Sequence, residues 1–372
     1  MDGGAVALFL CGDVMLGRGV DQILPHPGDP ELREGYVKDA RDYVGLAEAA
    51  GGRLPPLPVG FDWPWGDALA VLDAAAPDVR VVNLETSVTR SGDFAPGKAV
   101  HYRMNPENLP CLAAVRPDVC VLANNHVLDF GRRGLRETLR TLARAGLVTA
   151  GAGQHAEAAA RPAAVPLAGG GRVLVFSFGM PCSGVPPDWA ATRGRAGVAY
   201  VADPAGAAAR GIAARVREEK RPGDIAVASV HWGSNWGYDV PRDRIAFGRA
   251  LVDAGVDVVH GHSSHHPRPL ELYRGRLILY GCGDFIDDYE GISGYERYRD
   301  DLRLVYLVSV DADSGRLRGL RITVFQARAM RLRHASAEDA ARVRELLGRI
   351  GSGVRVRRDS HDPPDAWTLV PA

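Results

Sequence analysis

Apolar and polar positions follow two periods along this chain, one typical of β-strands and the other typical of α-helices. Short apolar runs predict strands at residues 5–11, 79–84, 119–123, 171–178, 224–230, 256–260, 277–280, 302–310 and 317–325. Apolar residues three and four positions apart predict helices at residues 66–76, 135–145, 204–219, 242–254 and 337–349. Because strands and helices alternate, we expect an α/β protein with a largely parallel sheet covered by helices.

Two segments depart from this alternation. The last two predicted strands are separated only by the polar residues 311–316, which predict an antiparallel hairpin. Residues 24–66 are rich in Pro and Gly and end in an aromatic cluster of Phe61, Trp63 and Trp65. We expect this inserted loop to form a lid over a site, with packing onto the body as the equal alternative. We predict a single catalytic domain over residues 1–330 and a C-terminal helix and peripheral tail over residues 331–372.

Side chains that bind metals follow several predicted strands at the point where each strand ends. They occur in Gly12-Asp13, Asn83-Leu84-Glu85, Asn124-Asn125-His126, His231 and His260-Gly261-His262-Ser263-Ser264-His265-His266. Ligands of open α/β sheets gather outside the carboxyl ends of the strands. Imidazoles mixed with hard oxygen ligands suit divalent ions such as Mn, Zn, Fe or Ca. A single such Asp is more often a helix cap, but five converging strand ends favour a metal site.

Composition narrows the range of partners. The chain has 45 Lys and Arg residues and 45 Asp and Glu residues, so its formal net charge is zero and nucleic acid is not expected as a partner. No run reaches the ~18–20 apolar residues of a membrane helix, and the first residues lack the basic region of a signal peptide. We therefore expect a cytoplasmic protein without a membrane partner.

The strand-end motifs resemble, in their order, those of the CapA-like proteins, a family named after poly-γ-glutamate capsule synthesis. The segments Asp129-Phe130-Gly131, Gly151-Ala152-Gly153 and Glu271-Leu272-Tyr273 resemble the same family, and the likeness covers roughly residues 5–290. This family is part of the calcineurin-like metallophosphatase superfamily. The resemblance therefore implies a four-layer αββα sandwich with mixed sheets and one or two divalent metal ions at its rim.

Position by position, the resemblance implies the metal ligands Asp13, Glu85, Asn125, His231, His262 and His265. His126 corresponds to the histidine that contacts the substrate. Asp129 could fix the tautomer of His126, as carboxylate partners of histidine commonly do. We expect substrate contacts from side chains beside these motifs, namely Asn83, Asn124, Trp232, Trp236 and Arg18.

Several positions depart from the superfamily pattern. Met15 stands where metallophosphatases have a histidine, so we expect one ion site to be weakened or a single ion to bind. Glu85 replaces the bridging aspartate, and Ser263-Ser264 replaces His-Pro in the last motif. Asp284 follows the strand at residues 277–280 and either caps a solvated turn or serves as an acid or base.

A divalent ion at this site supports two kinds of chemistry. It can activate water for hydrolysis, or it can polarise a carbonyl so that the neighbouring Cα proton is removable. Because Met15 weakens the phosphoesterase interpretation, we first predict an isomerase that epimerises a residue in a peptide, like the soluble lasso-peptide epimerases among CapA-like proteins. Its acid and base would come from His126, Asp284, His260 and His266. The alternatives are a hydrolase of amide (polyglutamate-type) or phosphoester bonds and a non-catalytic polyglutamate-binding subunit.

Overall fold

The computed structural model describes residues 4–204, 207–357 and 363–372. Its strands are Ala5–Cys11 (β1), Asp13–Val14 (β2), Val79–Leu84 (β3), Ser87–Val88 (β4), Arg103–Met104 (β5), Val119–Val121 (β6), Val148–Ala150 (β7), Ala152–Gly153 (β8), Ala163–Pro166 (β9), Arg172–Gly179 (β10), Gly197–Val198 (β11), Ile225–His231 (β12), Val258–His262 (β13), Leu270–Tyr273 (β14), Arg276–Leu279 (β15), Asp284–Ile286 (β16), Leu302–Asp311 (β17), Leu317–Ala327 (β18), Leu332–His334 (β19), Val354–Arg357 (β20) and Ala366–Pro371 (β21).

The α-helices are Gly19–Ile23 (α1), Arg41–Gly51 (α2), Ala68–Ala75 (α3), Leu109–Ala113 (α4), Gly131–Arg144 (α5), Ala156–Ala160 (α6), Ala207–Glu219 (α7), Arg242–Asp253 (α8) and Ala337–Ile350 (α9). In the part of the chain that the structure describes, no helix combines the length and apolar character needed to cross a bilayer. Residues 1–3, 205–206 and 358–362 lie outside the described residues. They include the N-terminal residues, part of the predicted helix at 204–219 and part of the predicted tail.

Two large mixed sheets form the body of the protein. The first has the order β16-β2-β3-β1-β17-β18-β21-β20, with β6 beside β3, β7 beside β6 and β19 beside β18. The second has the order β14-β15-β13-β12-β10-β9. The central strands β10, β12, β13 and β15 are parallel, and both edge strands of the second sheet are antiparallel. The predicted hairpin is confirmed as the antiparallel pair β17 and β18.

Alternating side chains along the strands build three apolar clusters. On β1, Phe9 and Cys11 pack with residues of the helices α1 to α5. Val6, Leu8 and Leu10 point the other way and pack between the two sheets. The outer face of the second sheet buries its apolar residues against α7 and α8. The layers are therefore helix, sheet, sheet and helix, so the predicted α/β fold, a four-layer αββα sandwich with mixed sheets, is confirmed.

Two segments differ from what the sequence predicts. The predicted loop at residues 24–66 contains the helix α2, and its Trp65 is fully buried with Nε1 donating to the Cys111 carbonyl at 2.7 Å. The predicted C-terminal helix is present as α9. The residues after it were expected to be peripheral, but β20 and β21 extend the first sheet beyond β18.

Polar strand ends from both sheets meet at one rim. In the second sheet, β12 ends at His231 and β13 ends at His262, and these two residues are paired across the strands. In the first sheet, Asp13 is paired with Asn83 of β3 and with Asp284 of β16. The rim therefore carries imidazoles from one sheet and carboxylates from the other.

Candidate metal centre

Asp13, His231 and His262 form a compact group in which one ligand atom of each residue lies within 4.8 Å of the others. The Nδ1 atoms of the two histidines are 2.7 Å apart, and Nδ1 of His262 lies 3.8 Å from Oδ1 of Asp13. All three side chains are buried. Within the described ranges this is the group of His, Cys, Asp and Glu side chains close enough to hold one metal ion.

Two further predicted ligands adjoin this group. Nε2 of His231 lies 2.9 Å from Oδ1 of Asn125 and 3.6 Å from Oε1 of Glu85. Asn83 donates to the carboxylates of both Asp13 and Glu85, at 2.7 and 3.1 Å. The structure therefore places Asn83 behind the carboxylates, where its amide orients them.

Asn124 also has a supporting position. Its Nδ2 donates to Oδ1 of Asn83 at 3.0 Å and to the Leu84 carbonyl at 2.9 Å. Its Oδ1 accepts hydrogen bonds from the backbone N–H groups of His126 and Val127. The fully buried Asn124 thus fixes the loop that carries Asn125 and His126, and its contact with substrate stays a prediction.

The electrostatics of this group fit a divalent cation. Burial and the neighbouring Asp284 raise the pKa of Asp13 to about 7, against the opposing hydrogen bond from Asn83. Burial and Asp13 raise the pKa of Glu85 well above its ordinary value. Burial lowers the pKa of His231 and His262, so both imidazoles are neutral at pH 7 and have lone pairs for a metal. The charge of a divalent ion would stabilise the ionised form of these crowded, buried carboxylates, and the neutral imidazoles would add further ligands.

Met15 adds an apolar side chain to this part of the site. Met15 is fully buried, and its Sδ lies 3.6 Å from the hydroxyl of Tyr289. His265, predicted as a ligand, has its Nδ1 at 3.0 Å from both carboxylate oxygens of Asp284. A second ion would therefore have to compete with the pairing of His265 and Asp284.

His126 lies beside the metal group, and Asp129 holds its ring from the side away from that group. Its Nδ1 is 2.6 Å from Oδ2 of Asp129, and its Nε2 is 4.0 Å from Oε1 of Glu85. Burial lowers the pKa of His126 to about 4, with the charge of Asp129 opposing that shift and Lys98 adding to it. The neutral ring donates from Nδ1 to Asp129, so Nε2 is an acceptor on the side of the metal group.

Two other predicted substrate contacts serve the interior of the protein instead. Trp232 is only 1% exposed, and its Nε1 donates to the Tyr280 carbonyl at 2.9 Å within the outer helical layer. Arg18 is 3% exposed, and its guanidinium pairs with Glu34 and Asp288. In the structure the polar groups of both side chains already have partners in the interior of the protein, and their contact with substrate stays a prediction.

Two predicted acid or base residues are also enclosed. The Nε2–H of His260 donates to the Cys11 carbonyl at 2.7 Å, and its Nδ1 accepts from the hydroxyl of Ser229 at 3.1 Å. His266 is fully buried and stacks on Tyr298 with ring centroids 4.5 Å apart. In the structure neither imidazole has an exposed nitrogen, which proton transfer to a substrate requires, and their roles as acid or base stay predictions.

Three residues of the site were missed in the sequence. Lys98 donates to Asp129 and to the Asn125 carbonyl, and it lies 3.3 Å from Nδ1 of His126. Arg303, buried, lies 3.3 Å from Asp284 through Nη1. Tyr289 covers Met15. Lys98 had one available signal, because it is one of only three lysines in a chain whose positive charge is otherwise arginine.

Comparisons with known proteins agree with the strand-end motifs. The family model described as "Bacterial capsule synthesis protein PGA_cap" matches residues 7–289. A "probable polyglutamine synthesis accessory protein" of Mycobacterium tuberculosis is 54% identical over 368 residues, which cover 99% of this chain and 96% of that protein. The "PGA biosynthesis protein CapA" of Bacillus subtilis is 30% identical over 273 residues, which cover 73% of this chain and 68% of that protein.

Among solved structures, a 5′-nucleotidase precursor of Thermus thermophilus is similar with a TM-score of 0.45 and 14% sequence identity. The match covers 86% of this chain and 54% of that chain. The resemblance to CapA-like proteins is confirmed by the family model and the relatives, whereas their names give no support to the lasso-peptide epimerase branch.

Proposed function

Since the chain belongs to the bacterial capsule synthesis protein family PGA_cap, we propose that it is a divalent-metal-dependent hydrolase of amide bonds in a polyglutamate-type polypeptide. One observation carries this proposal: the group of Asp13, His231 and His262 lies beside His126, whose free Nε2 is on the same side. Hydrolysis of an amide needs both a Lewis acid and a group that moves protons, and these residues supply a place for each.

The residues divide the work between binding and proton transfer. Asp13, His231 and His262 would hold a divalent cation, which would supply the Lewis acidity that activates water and polarises the scissile carbonyl. Nε2 of His126 accepts a proton from the attacking water and returns it to the amine that leaves when the C–N bond breaks. Asp129 keeps the proton of His126 on Nδ1 throughout the water attack.

Epimerisation, the first prediction from the sequence, has less support. It requires an acid and a base on opposite faces of one carbon atom. His260 and His266 are enclosed, and Asp284 is paired with His265 and Arg303. Of the four residues predicted as acid or base, His126 is the one with an unpaired nitrogen beside the metal group. A single proton-transfer group favours hydrolysis over epimerisation.

The test is cleavage of poly-γ-glutamate by the full-length, metal-loaded protein, followed by mass spectrometry, with a phosphoester panel run in parallel. His126→Ala is expected to lower the rate by about 100-fold or more while the bound metal, measured by elemental analysis, is unchanged. His26→Ala, at an exposed histidine whose side chain is 49% accessible, is the matched control and should leave the rate unchanged.

Each other outcome identifies a different function. Tight binding of the polymer by wild type without cleavage would replace the hydrolase with a binding subunit. Phosphate release without polymer cleavage would replace amide hydrolysis with phosphoester hydrolysis. Deuterium uptake at Cα from heavy water, with the polymer intact, would restore the epimerase.

A further inference from the structure

A groove of about 240 Å³ lies between the segment at residues 295–302 and the helix α9. We call it the arginine groove, and define it by Tyr238, Arg297, Tyr298, Arg299, Arg342 and Arg349. Its other lining residues are apolar, and no carboxylate lines it among the described residues. An anionic ligand would therefore meet positive charge here without a competing acid.

Two of the four arginines make no ion pair with an acidic side chain among the described residues. Arg299 pairs with Asp301 and Asp339, and Arg342 pairs with Glu338, so their charges are largely balanced. Arg297 and Arg349, by contrast, make no ion pair with a carboxylate in the part of the chain that the structure describes. These two guanidiniums have charge to offer to a ligand.

A tyrosine fixes the position of Arg297. Arg297 donates to the hydroxyl of Tyr298 at 2.8 Å and lies 4.6 Å from the centre of its ring. Burial and Tyr298 raise the pKa of Tyr238, and the charges of Arg349 and Arg297, which line the same groove, oppose that rise. A guanidinium held by contacts such as those of Arg297 loses less conformational entropy when it binds a carboxylate.

A wall of rings connects this groove with the metal centre. The ring of Tyr298 stacks on His266 at 4.5 Å, and His266 is 6.0 Å from Trp236. Trp236 in turn lies 5.2 Å from His265, which bonds to Asp284. Since Asp284 is paired with Asp13 across neighbouring strands, a row of neighbouring side chains leads from the groove to the metal group.

We propose that the arginine groove binds free carboxylates of the polypeptide whose scissile bond lies at the metal centre, an inference that rests on the proposed function. Guanidinium groups form charge-assisted, bidentate pairs with carboxylates. Trp236 and Tyr298, the partly exposed rings of the wall, offer an apolar surface for the methylene groups between them. The groove therefore selects a polymer with free carboxylates over one in which uncharged carboxamides replace them.

A second basic groove provides a matched control. It has a volume of about 450 Å³ and includes Arg140 and Arg144 of α5, which also have no carboxylate partner among the described residues. The double variant Arg140→Gln/Arg144→Gln removes the same two charges as Arg297→Gln/Arg349→Gln. A difference between the two variants therefore reports position and not net charge.

The test is fluorescence polarisation with fluorescein-labelled oligo-γ-glutamate and an analogue of equal length in which α-carboxamides replace the free α-carboxylates, on the full-length metal-loaded protein at about physiological salt. We expect Arg297→Gln/Arg349→Gln to raise the Kd for oligoglutamate about tenfold or more, with metal content unchanged. The control variant should stay within about twofold of wild type. Wild type should bind the uncharged analogue about tenfold more weakly than oligoglutamate.

The outcomes separate this inference from the proposed hydrolase. An unchanged Kd in the Arg297 and Arg349 variant, or an equal loss in the control variant, overturns the groove, even if wild type cleaves the polymer. Loss of binding in that variant alone supports the groove, even if wild type cleaves nothing and the hydrolase proposal fails. If wild type cleaves the polymer, the same variant should raise KM and leave kcat unchanged, because the groove lies away from the reacting bond.

Discussion

The imidazole of His126 is positioned by contacts on one side of its ring. Asp129 accepts hydrogen bonds from Nδ1 of His126 and from the backbone N–H of Tyr102, and Lys98 pairs with the same carboxylate. The Tyr102 ring packs against the imidazole at 4.4 Å. These contacts leave Nε2 as the nitrogen on the side of the metal group. The proposed role of His126 therefore depends on Asp129, which orients the ring from the other side.

Asp129→Asn tests this positioning at the scale of one residue. An asparagine can turn its NH₂ toward Nδ1 and so favour the tautomer with the proton on Nε2, which removes the acceptor. We expect kcat for polymer cleavage to fall about 10- to 100-fold, with KM and metal content unchanged. Asp93→Asn, at an exposed carboxylate, is the control. An unchanged kcat in the folded Asp129 variant would mean that His126 needs no orienting partner.

Met15 sets the expected number of bound ions. Its thioether fills the position beside Tyr289 without offering a ligand for a hard cation. We expect one equivalent of divalent metal per wild-type chain and more than one in Met15→His, measured by elemental analysis after dialysis against buffered metal. Met15→Leu, which keeps an apolar side chain of similar volume, should remain at one equivalent. A wild-type value of two would show that other residues complete a second site.

At the scale of elements, the strand-end pattern predicted the site because apolar runs that end in polar groups are typical of strands that reach the ligand-binding edge of an α/β sheet. The same pattern could not tell which side of a strand each residue faces. His231 and Trp232 are neighbours in sequence, but they point to opposite sides, and only the histidine reaches the rim. His260 shares a face with His262 but lies one residue pair deeper, where it meets the Cys11 carbonyl.

Other features required contacts between distant parts of the chain. Lys98 and Arg303 are far in sequence from the residues with which they pair, and neither lies in a strand-end motif. The helix α2 lies within a segment rich in Pro and Gly, whose composition predicted a loop. The strand β20 is short and alternates Val with Arg, so its pairing with the first sheet through β21 was not evident from hydrophobicity.

The junction between β1 and β2 gives a prediction at this scale. A Cβ atom added to Gly12 would lie 1.8 Å from the carbonyl oxygen of Gly283, which is too close for any rotamer to relieve. We expect Gly12→Ala to lower the free energy of unfolding by about 2 kcal/mol or more and to reduce metal binding, because the shift displaces Asp13. Gly45→Ala, at an open position in α2, should be neutral or slightly stabilising in the same denaturation experiment.

At the scale of the whole molecule, the metal group joins the two sheets of the sandwich. Asp13 belongs to the first sheet, and His231 and His262 belong to the second. A cation bound by these three residues would connect both layers, whereas the metal-free protein holds crowded carboxylates at the same rim. Metal binding and the stability of the fold should therefore be coupled.

The stability of the metal-free protein should change with pH in a definite direction. In the metal-free protein the pKa of Asp13 is raised from 3.8 to about 7 and that of Glu85 is also raised, so the folded state binds more protons than the unfolded state. Stability then falls as pH rises through these values. Buried histidines whose pKa is lowered, among them His231 and His262, oppose this trend until the unfolded state is also neutral, well above their ordinary pKa of 6.5. Asp13→Asn leaves these histidines in place, so it is the reference that isolates the carboxylate contribution.

We therefore expect the chelated wild type to lose on the order of 1 kcal/mol of stability relative to chelated Asp13→Asn between about pH 6 and about pH 8, seen as a fall in its Tm relative to that of the variant. The metal-loaded wild type should show no such relative loss, because coordinated carboxylates are deprotonated when folded. Asp13→Asn should also abolish the response to added metal. A Tm difference between the two chelated proteins that is level across this window would mean that the two carboxylates are not in competition, and would remove the electrostatic reason for a cation at the rim.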